Sequence, residues 1–286
     1  MSYKEEASVV SKIIQHLMDS KGVSPNDICI LVRHSVYRYA DPTVQELQSI
    51  GIRARIEEKY QNLLSEPFVG YLVSFLTILV KRDINAWQTV LSYYSRVLDI
   101  DSEYVIQKNV YSLRQTWQSQ KNIEVLIGYM WTLLHFERVP TVHRQYKNSE
   151  ECQKLSNDVL KELMMSFKLG RNLSEALDDL KGVGIVPIMT THKSKGLEFD
   201  TIIFLGVEDG AFFSYGKNPY EENCNIFVAL SRAKQRAIFT YSDTRLDRNG
   251  QKRTQNFRSL QPLIDGLVPA GLKKYDGLNY NLCDLD

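Results

Sequence analysis

No apolar run in this 286-residue chain approaches the length of a membrane span; the stretch from Phe68 to Val80 is broken by Gly70, Tyr71, Ser74 and Thr77 and ends at Lys81-Arg82. The first residues, Met1-Ser2-Tyr3-Lys4-Glu5-Glu6, have no apolar centre of the kind a secretory signal carries, so a cytoplasmic setting is expected. Cysteine is scarce and scattered. Cys29, Cys152, Cys224 and Cys283 include none of the close pairs that zinc sites or redox motifs use, which predicts free, reduced thiols. The five histidines form no HExxH arrangement, so a metal hydrolase has no support and no metal ligand is assigned. An excess of one charge is missing too. A net charge of +1 removes any global attraction for polyanions and leaves local patches. One runs through Arg245, Arg248, Lys252, Arg253 and Arg258, as a solvated face or a DNA contact.

What is present belongs to an ordinary globular chain, 43% hydrophobic and 24% charged, with enough length for one large domain or two modest ones. Glu6 to Met18 sets Val9, Val10, Ile13, Ile14, Leu17 and Met18 at helical spacing, with a stop near Gly22. Ile28 to Arg33 reads as a buried strand ending in polar residues. Asp41-Pro42 looks like an N-cap and first-turn pair opening a helix that runs through Val44, Leu47 and Ile50 to Gly51, before a second strand at Ile52 to Ile56. Strand, helix, strand is the unit of a parallel sheet. From Pro67 to Leu180 helical periodicity takes over, in Phe68–Val80, Ala86–Leu98, Val105–Trp117, Ile123–Phe136 and Leu155–Phe167. Trp87, Tyr93, Tyr94, Trp117, Tyr129, Trp131 and Phe136 sit at helical spacing there, which favours core over a base-stacking surface. Strand patterning returns after Gly184, with a Tyr220–Lys234 helix followed by a strand at Arg236–Tyr241. The pattern predicts an α/β parallel sheet with flanking helices, in segments 1–66 and 181–286, interrupted by an all-helical insertion at 67–180.

Two clusters carry chemistry. Thr190-Thr191-His192-Lys193-Ser194-Lys195-Gly196-Leu197-Glu198-Phe199-Asp200 is a polar loop between the apolar runs Ile185–Met189 and Thr201–Gly206, and loops that leave the carboxyl ends of parallel strands are where ligands bind. Val228-Ala229-Leu230-Ser231-Arg232-Ala233-Lys234 places an arginine among small residues, where a guanidinium can approach a neighbouring surface closely. Arg232 there reads equally as a phosphate ligand or as a helix-end cation answering the helix dipole.

Together the clusters resemble motifs V and VI of the UvrD/Rep superfamily 1 DNA helicases, in the same order and with Gly206-Val207-Glu208-Asp209-Gly210 and Glu221-Glu222 between them. The resemblance is close from about residue 185 to 245 and looser from Ile28 to Ile56; in the helical insertion it is architectural. It implies a second RecA-like domain, split by that insertion, within an ATP-dependent DNA helicase of a DNA-repair kind. By the same resemblance Arg232 reaches the γ-phosphate of ATP, Glu198 bonds the ribose, and Gly196 lets the backbone approach the nucleotide. Thr191 and His192 face single-stranded DNA, Lys195 lies between the two ligands, and Arg33 and His34 are weaker candidates for the strand groove. A GxxxxGK[ST] phosphate cradle is required for ATP, and the nearest match, Gly210 to Asn218, has the wrong spacing and lacks the magnesium-binding hydroxyl. ATP and Mg2+ are therefore expected to sit mainly on an N-terminal RecA-like domain that this chain lacks, and the chain alone is expected to be inactive. The expected partners are that domain and single-stranded DNA or a single/double-strand junction. Two other readings stay open: a non-catalytic RecA-like module that binds DNA or completes a partner's site, and a fragment of a helicase-nuclease.

Overall fold

The structure, a computed structural model, describes residues 1–269 and 271–275; Cys283 lies outside them. The described residues form two compact units, one from residues 1–58 together with those from 184 onward and the other from 59–183.

The first unit is built on a five-stranded sheet, parallel throughout, with the order β2 (Ala54–Ile56), β3 (Val186–Thr190), β1 (Ile28–Val32), β4 (Phe199–Phe204), β5 (Ala233–Phe239). Helix α1 (Tyr3–Lys21) opens with a capping box, Ser2 and Glu5 exchanging side-chain and backbone bonds, and ends at Gly22 in the left-handed conformation. Strand β1 (Ile28–Val32) lies at the centre of the sheet and is buried along its whole length, as its unbroken apolar sequence predicts. Helix α2 (Val36–Ser49) follows, and then β2 (Ala54–Ile56). The predicted Asp41-Pro42 helix start is corrected here, since α2 begins at Val36 and Pro42 lies inside it. Burial of Val36, Tyr39 and Ala40 against the sheet outweighs the backbone bond that Pro42 cannot donate. The crossover from β1 to β2 also skips a position, because β3 (Val186–Thr190) pairs between them.

Helix α3 (Glu57–Leu64) leads from the first unit into the second, which holds α4 (Pro67–Val80), α5 (Ile84–Tyr93), α6 (Glu103–Gln120), α7 (Ile123–Leu134), the single turn α8 (Val139–Val142), α9 (Ser149–Lys168) and α10 (Leu173–Lys181). Helix α5 continues as one π-helical turn, Tyr94–Leu98. The core is aromatic: the ring of Phe136 packs edge-on to Phe68 at 5.2 Å and to Tyr93 at 5.6 Å, and the Tyr93 hydroxyl donates to the carbonyl of Leu134. Tyr94 is buried with them, while Trp87, Trp117, Tyr129 and Trp131 pack against the core from its edge. The aromatic spacing thus belongs to packing for all seven residues.

The first unit resumes with β3, β4 (Phe199–Phe204), α11 (Pro219–Leu230), β5 (Ala233–Phe239), the antiparallel pair β6 (Thr244–Leu246) and β7 (Lys252–Thr254), and α12 (Gln261–Leu267). Helix α11 stops short of the predicted Lys234. The Phe199 N–H donates to the Arg232 carbonyl at 2.8 Å and Ala233 pairs with Phe199, so the sheet ladder takes up the chain as soon as the helix ends. Among the described residues no single helix is long and apolar enough to cross a membrane.

Candidate functional site

The polar loop joins two opposite edges of the sheet. Thr190 pairs with Val32 at the carboxyl ends of β3 and β1, whereas Phe199 pairs with Ala233 at the amino ends of β4 and β5. Residues 191–198 therefore start at one edge and finish at the other. The candidate residues sort accordingly.

At the amino edge, the short turn after α11 holds Arg232 against the end of the loop. Its Nη1 donates to the carbonyl of Leu197 at 3.3 Å, its Nε to the carbonyl of Val228 at 3.2 Å, and its Nη2 to the Ser231 hydroxyl at 2.9 Å. Every acceptor is neutral, and the half-buried guanidinium has no carboxylate partner among the described residues. One residue beyond Leu197, Glu198 is exposed and reaches Lys234 only at 3.9 Å. Gly196 has φ 81°, a conformation that L side chains avoid, and the space where its side chain would stand is empty. The structure thus brings Gly196, Glu198 and Arg232 together at one exposed place. On α11, whose carboxyl end leads into Arg232, Tyr220 is 80% and Phe227 70% exposed, seven residues apart and so on one face.

At the carboxyl edge, His192, Arg33 and His34 line a cleft of about 550 Å³ together with Tyr37, Arg38 and Glu58. Sequence reasoning missed Tyr37 and Arg38, because placing the helix start at Asp41 left them in a loop rather than on its first turns. Thr191 does not face this cleft. It is 1% exposed, with its N–H bonded to the Val32 carbonyl at 3.1 Å, so it roots the loop instead of presenting a hydroxyl to a ligand. Arg33 is committed as well: its Nε and Nη2 donate to the two oxygens of Glu222 at 2.7 and 3.2 Å. Burial works against the charge of Glu222, but the Arg33 fork, the Ser214 hydroxyl and the Asn225 amide outweigh it and hold the carboxyl below its ordinary range. His34 bonds the Ser35 hydroxyl through Nδ1 at 2.9 Å and packs edge-on to Phe213 at 5.4 Å. Its burial, with Arg33 and Arg38 nearby, lowers its pKa, so it stays neutral at pH 7. His192, Lys195 and Gly196 are exposed along the loop, which is stiffened by the buried Ser194, whose hydroxyl donates to the Thr191 carbonyl at 2.8 Å.

The basic patch resolves differently from its prediction. Arg245 is 1% exposed, donating to Glu6 at 2.6 Å and Glu208 at 2.7 Å and lying 4.4 Å over the ring of Tyr39. Two carboxylates on one guanidinium leave an excess negative charge. Thr240 and Ser242 hydroxyls and the Gly206 N–H stabilise Glu6, while burial pushes the Glu208 carboxyl up. Gly206 is required in this cluster: its φ is 68°, and an added side-chain carbon would lie 2.5 Å from the Tyr39 ring. No spacing in the sequence announces a contact between residues so far apart. Arg253 bonds Asp247 at 2.9 Å, while Arg248 and Lys252 stay exposed near the tip of the β6–β7 hairpin.

A family model described as the UvrD-like helicase C-terminal domain matches residues 100–244, half of the chain. DNA helicase II of Escherichia coli (strain K12) is 29% identical over 116 residues, 39% of this chain and 15% of that protein. A probable DNA helicase II homolog of Mycoplasma capricolum is 23% identical over 288 residues, 84% of this chain and 40% of that protein. The ATP-dependent DNA helicase Rep of Buchnera aphidicola is 37% identical over 71 residues, 23% of this chain and 11% of that protein. The chain matches less than half the length of each of these relatives.

Proposed function

Because the chain belongs to the UvrD-like helicase C-terminal domain family, we propose that it serves as the second RecA-like half of an ATP-dependent DNA helicase and completes a nucleotide site cradled mainly by another domain. The observation that carries this reading is Arg232, a permanent cation aimed by three neutral acceptors and, among the described residues, left without a counter-ion. A guanidinium fixed in this way meets an incoming phosphate with little reorganisation and matches the spread charge of a transferring phosphoryl group. Glu198 offers an exposed carboxylate for sugar hydroxyls one residue from the carbonyl that steadies Arg232, and Gly196 keeps the approach clear of a side chain.

The residues here fit one side of ATP and no more. They include a phosphate cation and a hydroxyl acceptor, while among the described residues no group of three or more His, Cys, Asp or Glu could hold a metal. On this reading the other domain supplies Mg2+ and the phosphate cradle. The exposed Tyr220 and Phe227 suit that domain's docking, since they lie on the helix that delivers Arg232 and leave apolar surface uncovered. At the opposite edge, the cleft with His34, Tyr37, Arg38 and His192 suits one strand of DNA, with rings for stacking and cations for phosphate. Lys195 stands on the loop between the two edges and is available to both.

Replacing Arg232 tests the assignment. In the complete parent enzyme, Arg232→Ala is expected to lower kcat for DNA-stimulated ATP hydrolysis roughly 10³-fold, with a much smaller change in nucleotide affinity. The isolated chain is expected to hydrolyse no ATP. Robust turnover by the isolated chain that depends on Arg232, or full activity of the parent variant, would overturn the proposal.

A further inference from the structure

One groove in the helical unit has no part in the nucleotide or strand assignments. The end of α4, the start of α5 and the middle of α6 enclose a cleft of about 620 Å³, a size typical of sites that take a few side chains. Its floor is apolar, formed by Ile78, Val80, Trp87 and Val110, and Ile84 at its mouth is 73% exposed. Its rim is basic, formed by Lys81, Arg82 and Arg114. The nearby acids are already committed. Asp83 caps α5 by accepting the Ala86 N–H at 2.9 Å, and Asp178 accepts from Lys81 at 2.5 Å. Arg114 donates through Nη2 to the Ile78 carbonyl at 3.0 Å, which pins its guanidinium beside the floor while its other N–H groups remain for a ligand. Arg82 is exposed and has no ion pair among the described residues.

We propose that this cleft docks a short acidic segment of a partner protein, seated by one or two apolar side chains. An aliphatic floor with a cationic rim asks for both features in one ligand: burial of Ile84 and the floor returns apolar surface from water, and carboxylates meet Arg82 and Arg114. A nucleic acid satisfies the rim alone, because only Trp87 offers a ring for stacking and the aliphatic floor stays uncovered.

Fluorescence anisotropy of the full chain tests this with a labelled peptide of aspartate and glutamate around one phenylalanine and one leucine. The same peptide with both apolar residues changed to serine, and an oligothymidylate of equal length, are the comparisons. The apolar-anchored peptide is expected to bind about tenfold more tightly than the serine version. Arg82→Glu and Ile84→Asp change exposed side chains, and each is expected to weaken binding about tenfold with an unaltered melting curve. Bound peptide is also expected to slow amide exchange at residues 78–87 and 110–114. Equal binding of the two peptides, indifference to both substitutions, or displacement of the peptide by oligothymidylate would each sink the proposal. None of these outcomes touches Arg232, so the nucleotide assignment stands or falls separately.

Discussion

Arg33 and Arg245 carry the same charge as Arg232, and what separates their roles is the carboxylates that the fold brings to them. Arg245 is closed off by Glu6 and Glu208. Arg245→Ala leaves two buried carboxyl groups without their cation and is expected to cost about 3–5 kcal/mol, read as a lower urea midpoint with an unchanged m-value. Arg33 and Glu222 form a clasp whose pH response has a definite sign. Because the Glu222 pKa is lowered in the folded chain, its contribution is present above the unfolded carboxyl pKa of about 4.3 and is lost as pH falls through the folded value. Glu222→Gln is therefore expected to be less stable than the native chain by about 2 kcal/mol at pH 7, with the gap narrowing in urea titrations below pH ~4. A gap that stays constant with pH would remove the clasp from the account. Arg232 could be singled out in the sequence by its small neighbours and motif order, but its lack of a counter-ion among the described residues is visible only in the folded chain.

Among the elements, those with uninterrupted apolar sequence were legible. β1, β3 and β4 are nearly continuous apolar runs, and all three fall where their patterns predict, within two residues. The long helices α4, α6, α7 and α9 were legible from their helical periodicity, with ends that shift, most of all at the start of α9. Helix α3 was not, because Glu57-Glu58-Lys59-Tyr60-Gln61-Asn62-Leu63-Leu64 has too few apolar residues to show a period. The order of strands was not legible either, since the insertion separates β2 from β3 in sequence and only the register joins them. Pro42 misled for a physical reason. Proline favours the first turn of a helix, and here packing holds it farther in. Pro42→Ala restores a donor to the Arg38 carbonyl and is expected to stabilise the chain by about 2 kcal/mol after the loss of proline's rigidity in the unfolded state. A higher melting temperature checks this, and an unchanged or lower one means that the carbonyl is already satisfied.

At the scale of the whole molecule, the half-site reading fixes how the chain should meet DNA. With Arg33 held by Glu222 and His34 neutral, Arg38 in the cleft and Lys195 on the loop offer about two phosphate contacts, which gives a weak, salt-sensitive complex with a slope near −0.7 per phosphate for single strands. A fourfold rise in salt is then expected to weaken binding roughly sevenfold in a titration with labelled oligothymidylate. Salt-insensitive binding that prefers duplex would contradict the cleft as a strand site. Both edges of the sheet meet through residues 191–198, and the path between them matches a five-residue strand, about 17 Å. Turn hydrogen bonds and the buried Thr191 and Ser194 make that path a strut, and a strut conveys push and pull where a slack cord conveys neither. Its length is thus a mechanical constant of the molecule. Under the proposed half-site reading, lengthening it by a pair of glycines is expected to leave nucleotide and strand binding in place while lowering the stimulation of ATP hydrolysis by DNA in the parent enzyme.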